Sequence, residues 1–208
     1  MVRSLERYDD EAGWMALPGV LDAASIDAIL LECDRLAELD PADRRPDDAP
    51  HGGTRHLRGL DDRIPAVAEV TRHPRLVSIV EQIVGEHARL DQAGLRSPQP
   101  GFGEQRLHTD DVPLAAGEPA RVATAIVALC DLDAGNGPTR VVPGSHRRPD
   151  LQRNPAALDP HPDEIRLTGP AGTAFVFSGH LLHSGTRNDG DAPRPALQLV
   201  WRTTRPLG

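Results

Sequence analysis

The chain has no lysine, only two cysteines and no long apolar run. Its 23 basic residues are all arginine, and 31 acidic residues give a formal net charge of −8. Because no basic block is present, we expect neither nucleic acid nor an anionic membrane as a partner. The longest uninterrupted apolar segment, Ala125–Cys130, is far shorter than a bilayer span. A membrane protein is therefore not expected.

The first 15 residues and the cysteines bear on where the protein acts. Four of those residues are acidic, and the segment resembles neither a signal nor a transit peptide. We therefore expect a cytoplasmic protein. In a reducing compartment Cys33 and Cys130, which lie far apart in sequence, are expected to be free thiols.

Apolar residues follow a helical period before residue 88. The spacing i, i+3, i+4, i+7 predicts helices over Ala23–Leu39, with Asp22 as the N-cap, and over Pro74–Val84. Between them, the polar segment Pro41–Asp62 is rich in Pro, Gly, Arg and His and is predicted to be a long loop.

After residue 88 the segments become short and β-like, separated by turns such as Asn136-Gly137-Pro138 and Pro143-Gly144. No regular helices separate these segments, which disfavours a doubly wound parallel sheet and favours a jelly roll or sandwich. The predicted strands are Ala88–Leu95, Val122–Leu129, Thr139–Val142, Ile165–Leu167, Thr173–Phe177 and Ala196–Arg202.

Candidate metal ligands occur within this β region. His108 and Asp110 are two residues apart, so an extended backbone directs both side chains to the same face. Such a triplet is weak by itself, because a second one, His161-Pro162-Asp163, lies in a Pro-rich loop. His183 follows an apolar strand and supplies a third ligand, and two His with one carboxylate bind Fe(II) and leave three positions open. The guanidinium of Arg194 can hold a carboxylate through two parallel hydrogen bonds, although taken alone the residue is more simply explained as a surface charge before Pro195.

Several motifs together resemble one known family, the phytanoyl-CoA dioxygenase (PhyH) family of Fe(II)- and 2-oxoglutarate-dependent oxygenases. The similarity extends from about residue 13 to residue 202. The motifs, in chain order, are Gly13-Trp14, Leu17-Pro18-Gly19-Val20-Leu21, Pro100-Gly101, Gln105, His108-Thr109-Asp110, Ala128-Leu129-Cys130-Asp131-Leu132-Asp133, Asn136-Gly137-Pro138, Val142-Pro143-Gly144-Ser145-His146, His183-Ser184-Gly185, Asn188, Arg194 and Ala196-Leu197-Gln198.

The resemblance implies a double-stranded β-helix, which is a cupin-like jelly roll, mainly β with flanking α-helices. Chain length predicts one domain over residues 1–208, and the change of apolar period divides it into a helical part at about 1–87 and a β-helix core at about 88–204. The resemblance implies that His108, Asp110 and His183 form the catalytic metal site for Fe(II). It further implies that 2-oxoglutarate and O2 are cosubstrates and that Arg194 binds the distal carboxylate of 2-oxoglutarate.

Other cofactor-binding residues are predicted from the same resemblance. Many members carry Ser or Thr two residues after the second metal-binding His, where this chain has Gly185. The neighbouring hydroxyls of Ser184 and Thr186 are the candidate replacements. Many members also have a polar residue upstream of the first His, for which Arg96 and Gln92 are the candidates.

The predicted function is oxidation, most simply hydroxylation, of an unactivated C–H bond in a small molecule, with the protein acting as a monomer or homodimer. Desaturation, cyclisation and epimerisation use the same chemistry and stay open. Two other classes also stay open: a cupin-like metal enzyme that does not use 2-oxoglutarate, and a non-catalytic binding module on the same scaffold.

Overall fold

The computed structural model describes residues 6–39, 53–115, 117–153 and 160–204, in which most of the regular structure is β. Four α-helices lie in these residues: α1 (Ala23–Leu39), α2 (Pro65–Thr71), α3 (Pro74–Val84) and α4 (Pro149–Arg153). The strands are β1 (Trp14–Leu17), β2 (Thr54–Arg58), β3 (Ala88–Pro98), β4 (Val122–Ala128), β5 (Thr139–Val141), β6 (Ile165–Arg166), β7 (Ala174–Ser178), β8 (His183–Gly185) and β9 (Ala196–Thr203).

These strands form two antiparallel sheets. The major sheet has six strands in the order β1-β7-β4-β9-β3-β2, and the minor sheet has three in the order β6-β5-β8. An isolated antiparallel bridge between His108 and His183 adds the His108 segment to the edge of the minor sheet. The arrangement confirms the predicted class, a mainly β jelly roll of the double-stranded β-helix type with helices outside it.

Side-chain alternation along β4 explains how the layers hold together. Ala125 and Val127 pack in the cluster that contains the helices, whereas Ile126 and Ala128 pack toward the minor sheet. Every residue of β4 is buried, since one face of the strand meets helices and the other lines the interior between the sheets. The interior face is therefore the one that can carry a site.

The two helices predicted from periodicity are confirmed with the expected bounds. The carboxylate of Asp22 accepts a hydrogen bond of 2.8 Å from the Ser25 amide, as an N-cap does. Helix α2 was not predicted, because its seven residues are too few to show a helical period. None of the described helices is long and apolar enough to cross a bilayer.

The predicted strands are confirmed with ends shifted by one to three residues. Two strands before residue 88 correct the prediction that this region is helical. Strand β1 pairs with β7, and β2 pairs with β3, so both belong to the major sheet. Strand β2 also corrects part of the predicted loop Pro41–Asp62, of which residues 41–52 lie outside the described residues. The single-domain boundary at 1–208 stays a prediction.

Candidate metal centre

The interior face brings His108, Asp110 and His183 together at the edge between the two sheets. One ligand atom from each lies within 4.8 Å of the others. The His108 and His183 backbones exchange two hydrogen bonds of 3.0 Å, which place the two imidazoles side by side. The Asp110 amide donates to the Gly179 carbonyl at 2.7 Å, so the carboxylate is held over the same point.

Backbone carbonyls hold both imidazoles in the orientation that a metal needs. Nδ1 of His108 donates to the Arg106 carbonyl and Nδ1 of His183 donates to the Leu181 carbonyl, each at 2.8 Å. With Nδ1 protonated, the neutral ring keeps a lone pair on Nε2. Metal-binding histidines are typically held this way, since the second nitrogen fixes the tautomer and the ring plane.

The carboxylate of Asp110 divides its two oxygens between two partners. Oδ1 lies 3.5 Å from Nε2 of His183, and Oδ2 accepts a hydrogen bond of 2.5 Å from the Thr124 hydroxyl. Burial alone raises the pKa of Asp110, but His183 and the Thr124 hydrogen bond hold it well below its usual range. Burial lowers the pKa of His183, yet the Asp110 carboxylate outweighs burial and raises it. The three side chains therefore present an anionic carboxylate and two imidazoles to one point.

Charged residues brace the turn that carries Asp110. Asp111 accepts from Arg121 at 3.3 Å and lies 3.5 Å from Arg202. Arg202 also donates to the Asp110 carbonyl at 3.2 Å. His180 lies three residues before His183 and is buried, and its Nε2 accepts a hydrogen bond of 3.1 Å from the Arg121 backbone amide. Both Asp111 and His180 thus support the turn and are not part of the ligand cluster.

A small cavity adjoins the ligand cluster and ends at Arg194. Its volume is about 40 Å³. The residues that line it are Arg96, Gln105, His108, Ile126, Thr139, His183, Ser184, Gly185, Arg194, Ala196, Leu197 and Gln198. The predicted cosubstrate 2-oxoglutarate has ten heavy atoms and needs a larger volume than this. We therefore expect the long side chains of Arg96, Gln105 and Gln198 to move when a molecule of that size binds. A second cavity, of about 570 Å³, contains Tyr8 and His146 but none of the three candidate ligands.

Arg194 is a buried cation without a counter-ion. It is 2% exposed, its Nε has no hydrogen-bond partner, and no described carboxylate forms an ion pair with it. Burial, reinforced by the charge of Arg96, lowers the pKa of Arg194 to about 10, so the guanidinium is charged at neutral pH. Proteins rarely leave a buried charge unpaired, which indicates that an anionic ligand completes this end of the cavity.

Two of the sequence motifs meet where the chain turns toward Arg194. The amide of the buried Asn188 donates to the carbonyls of Pro98 and Ala192 at 3.2 and 2.9 Å. Gly137 has a positive φ of 79°, and a Cβ there would lie 2.7 Å from the Asn188 backbone nitrogen. Glycine at 137 therefore lets the Asn136-Gly137-Pro138 turn pack directly against the turn that positions Arg194.

The remaining predicted cofactor residues divide into two groups. Arg96 lines the cavity and donates to the Gly103 carbonyl at 3.3 Å, while Ser184 borders the cavity but its hydroxyl accepts from Arg140 at 2.7 Å. Thr186 and Gln92 do not border it. The Thr186 hydroxyl donates to the Pro138 carbonyl at 2.7 Å, and Gln92 pairs with Val200 further along the sheet.

The sequence analysis assigned no role to three residues of this site: Thr124, Gln105 and Thr139. Thr124 bonds to Asp110, and the other two line the cavity. Thr124 stands in an apolar strand, and its polarity at a fully buried position was the one available signal. Gln105 belongs to the motif that precedes His108, whereas nothing in the local pattern distinguishes Thr139 from other polar residues near turns.

Comparison with known proteins shows which family the sequence matches. The profile of the phytanoyl-CoA dioxygenase (PhyH) family matches residues 10–196. L-proline trans-4-hydroxylase of Streptomyces griseoviridis is 28% identical over 91% of this chain and 82% of its own length. Ectoine dioxygenase of Bordetella parapertussis is 26% identical over 97% of this chain and 74% of its own length.

A solved structure has the same fold. HygX from Streptomyces hygroscopicus, crystallised with nickel and 2-oxoglutarate bound, superimposes with a TM-score of 0.74 at 20% identity. The superposition covers 94% of this chain and 84% of HygX. At 20% identity the similarity shows a shared fold. The strand arrangement described above therefore occurs in a protein of known structure.

Proposed function

Because this chain belongs to the phytanoyl-CoA dioxygenase family, and is a 2-oxoglutarate-dependent dioxygenase, we propose that His108, Asp110 and His183 hold its ferrous ion and that Arg194 binds its 2-oxoglutarate. The reaction we propose converts a substrate C–H bond, O2 and 2-oxoglutarate into an alcohol, CO2 and succinate. The substrate is a small molecule.

The donor set fits Fe(II) by its chemistry. Two neutral imidazoles and one carboxylate on one side of an ion are the ligands of non-haem ferrous oxygenases, and they leave open positions for a cosubstrate and O2. When bound, the ferrous ion supplies the oxidative chemistry that couples decarboxylation of the 2-oxo acid to attack on the C–H bond. The protein supplies the geometry of the three ligands and a buried wall that excludes water.

The unpaired guanidinium of Arg194 is the observation on which the proposal chiefly rests. It lines the same cavity as His108 and His183, so one molecule can bind a metal at one end and a cation at the other. A dicarboxylic 2-oxo acid has that shape. Its 2-oxo acid end would chelate the metal, and its distal carboxylate would accept two hydrogen bonds from Arg194.

Apolar residues close the metal side of the cavity. The Phe177 ring packs on His183 with its centroid 4.8 Å from the imidazole centroid, and Ile126 lines the adjacent wall. The Phe177 ring fixes the position of the imidazole, and Ile126 adds an apolar surface to the cavity wall, which strengthens electrostatic interactions beside it. They make no hydrogen bonds, so their contribution is position and exclusion of water.

The substrate class is a proposal from the named relatives. The names of two of them refer to L-proline and ectoine, both small molecules. We propose a small molecule of that size as the substrate, with hydroxylation as the reaction. We further propose that the protein is cytoplasmic and acts as a monomer or homodimer.

The test is turnover of 2-oxoglutarate by the purified protein with Fe(II) and O2, measured as succinate. We expect slow succinate release without substrate, none from Asp110→Ala, and in Arg194→Ala a KM for 2-oxoglutarate raised by at least about thirtyfold, because a buried charged contact is lost. Arg187→Ala removes an exposed arginine seven residues earlier in the chain and is the matched control. Oxidation that proceeds equally well in Arg194→Ala would instead indicate a metal enzyme that does not use 2-oxoglutarate.

A further inference from the structure

Arg202 contacts the metal centre from outside the ligand cluster. It lies near the end of β9, and each nitrogen of its guanidinium faces a different residue. Nε donates to the Asp91 carboxylate at 3.0 Å, Nη1 lies 3.5 Å from the Asp111 carboxylate, and Nη2 donates to the Asp110 carbonyl at 3.2 Å. One rigid planar group therefore joins strand β3 to the turn that carries a candidate metal ligand.

The Asp110 backbone has few other restraints. Asp110 lies beyond the isolated bridge at His108 and outside the described strands, so no sheet ladder holds its peptide groups. Its amide donates to the Gly179 carbonyl at 2.7 Å, and Arg202 donates to its carbonyl. Among the described residues, no backbone amide donates to that carbonyl. The direction of the Asp110 side chain therefore depends on Arg202, because the two peptide groups of a residue set where its Cβ points.

An irregularity in β3 brings Asp91 within reach of Arg202. The partners of residues 90 and 92 in β3 are consecutive residues of β9, so Asp91 is an extra residue that forms a β-bulge. Bulges often occur beside active sites, where they redirect a side chain. Here the bulge directs a carboxylate to Nε of Arg202, which leaves both Nη atoms of the guanidinium for the turn at Asp110 and Asp111.

We propose that Arg202, held by Asp91, is a positioning residue for the metal centre and aims the Asp110 carboxylate by holding the Asp110 carbonyl. The inference rests on the proposed function, since it treats Asp110 as a metal ligand. The Arg202 and Asp91 side chains are 42% and 51% exposed, so their ion pair adds little to folding stability. Arg202 therefore acts on the direction of one ligand, and the stability of the fold does not depend on it.

Charge and position predict opposite effects of Arg202 on metal binding. A guanidinium near a divalent cation repels it, so removal of the charge alone should tighten metal binding. Loss of the hydrogen bond to the Asp110 carbonyl should weaken metal binding, because the carboxylate is then no longer aimed at the metal. The sign of the change in metal affinity distinguishes the two effects.

The experiment titrates the metal-free protein with Mn(II) and measures the Kd by calorimetry. Arg202→Met keeps the aliphatic part of the side chain and removes the guanidinium. We expect its Kd for Mn(II) to rise about tenfold, since outer contacts of metal ligands have effects of this size. Arg89→Met is the matched control, because Arg89 pairs with Arg202 across the sheet but its guanidinium donates to the Ala88 carbonyl. This control should bind Mn(II) at least as tightly as the wild type.

The electron paramagnetic resonance spectrum of bound Mn(II) is a second readout, because it reports the geometry of the ligands. We expect a changed spectrum in Arg202→Met and the wild-type spectrum in Arg89→Met. Identical spectra in all three proteins would show that Asp110 keeps its direction without Arg202 and would overturn the proposal.

The role of Asp91 is tested by Asp91→Asn in two backgrounds. In the otherwise wild-type protein we expect the Kd for Mn(II) to rise about threefold, and in the Arg202→Met protein we expect no further rise, because Asp91 acts through Arg202. Equal effects in both backgrounds would mean that the Asp91 charge acts directly on the metal, which refutes its part in the proposal.

Thermal unfolding separates positioning from a structural role. Metal-free Arg202→Met should unfold within about 4 °C of the wild type, as expected for a partly exposed ion pair. A much larger decrease in unfolding temperature together with weaker metal binding would assign Arg202 to the stability of the fold and overturn the proposal.

Two further outcomes separate this inference from the proposed function. A Kd for Mn(II) in Arg202→Met that equals or falls below the wild-type value refutes the role of Arg202 and leaves the proposed function standing. A wild-type protein that binds no Mn(II) contradicts the proposed metal site, and the inference about Arg202 with it.

Discussion

Replacing Thr124 with valine is expected to weaken metal binding without changing any ligand. The Thr124 side chain is fully buried, and its hydroxyl donates the 2.5 Å hydrogen bond that Oδ2 of Asp110 accepts. Valine has nearly the same shape, so the carboxylate loses its donor while the packing stays. An unsatisfied buried acceptor costs about 1–3 kcal/mol, and loss of such an outer contact lowers metal affinity roughly 10–100-fold.

The assay is titration of the metal-free protein with Mn(II), followed by calorimetry or competition with a chelator. Thr124→Ser is the matched control, because it keeps the hydroxyl and loses one methyl group. We expect the free energy of unfolding of the serine variant to be lower by about 1 kcal/mol, while the variant retains most of its affinity for Mn(II). If Thr124→Val binds Mn(II) as tightly as the wild type, the orientation of Asp110 does not depend on Thr124 and the reasoning is refuted.

The remaining predictions concern pH and one turn. The carboxylate of Asp110 raises the pKa of His183, so a proton competes with the metal for Nε2 of His183 at a higher pH than in an ordinary histidine. The affinity for Mn(II) should therefore fall as the pH drops through that pKa. A Kd for Mn(II) that does not change with pH would contradict this prediction. Gly172→Ala should lower the unfolding temperature more than Gly19→Ala. Both glycines have a positive φ, but a Cβ at position 172 would lie 2.1 Å from the Leu21 carbonyl oxygen, whereas a Cβ at position 19 would have no atom within 4 Å. Equal decreases in unfolding temperature would show that the backbone relieves the clash.

Much of the fold is predictable because several segments have a clear period. Helices α1 and α3 present regular apolar faces, and β4 and β9 are long enough to stand out between turns. Strands β1 and β2 are not recognisable in this way, because they are four and five residues long and are stabilised by pairing with β7 and β3. Their existence depends on partners distant in the chain, which local patterns do not report.

The site divides along a similar line. His108, Asp110 and His183 belong to motifs, and the structure brings their ligand atoms within 4.8 Å of one another, while their role as metal ligands stays a prediction. Thr124 and Thr139 belong to no motif, since each acquires its position from the register of a sheet. Register is set by the whole set of paired strands, so the hydroxyls that support the site become visible after the strands are paired.

The polar atoms of the site fall into two groups: those that have a hydrogen-bond partner in the protein, and those that have none among the described residues. Both Nδ1 atoms of His108 and His183 and one Asp110 oxygen are satisfied by the protein, which fixes the ligands in direction. At the other end of the cavity, Nε of Arg194 has no hydrogen-bond partner, and no described carboxylate forms an ion pair with its guanidinium. A folded chain tolerates an unpaired buried cation at a cost in stability, so an anion bound at this end should stabilise the protein. The buried guanidinium thus favours an anion over a neutral molecule at its end of the cavity, while the three candidate ligands lie at the opposite end.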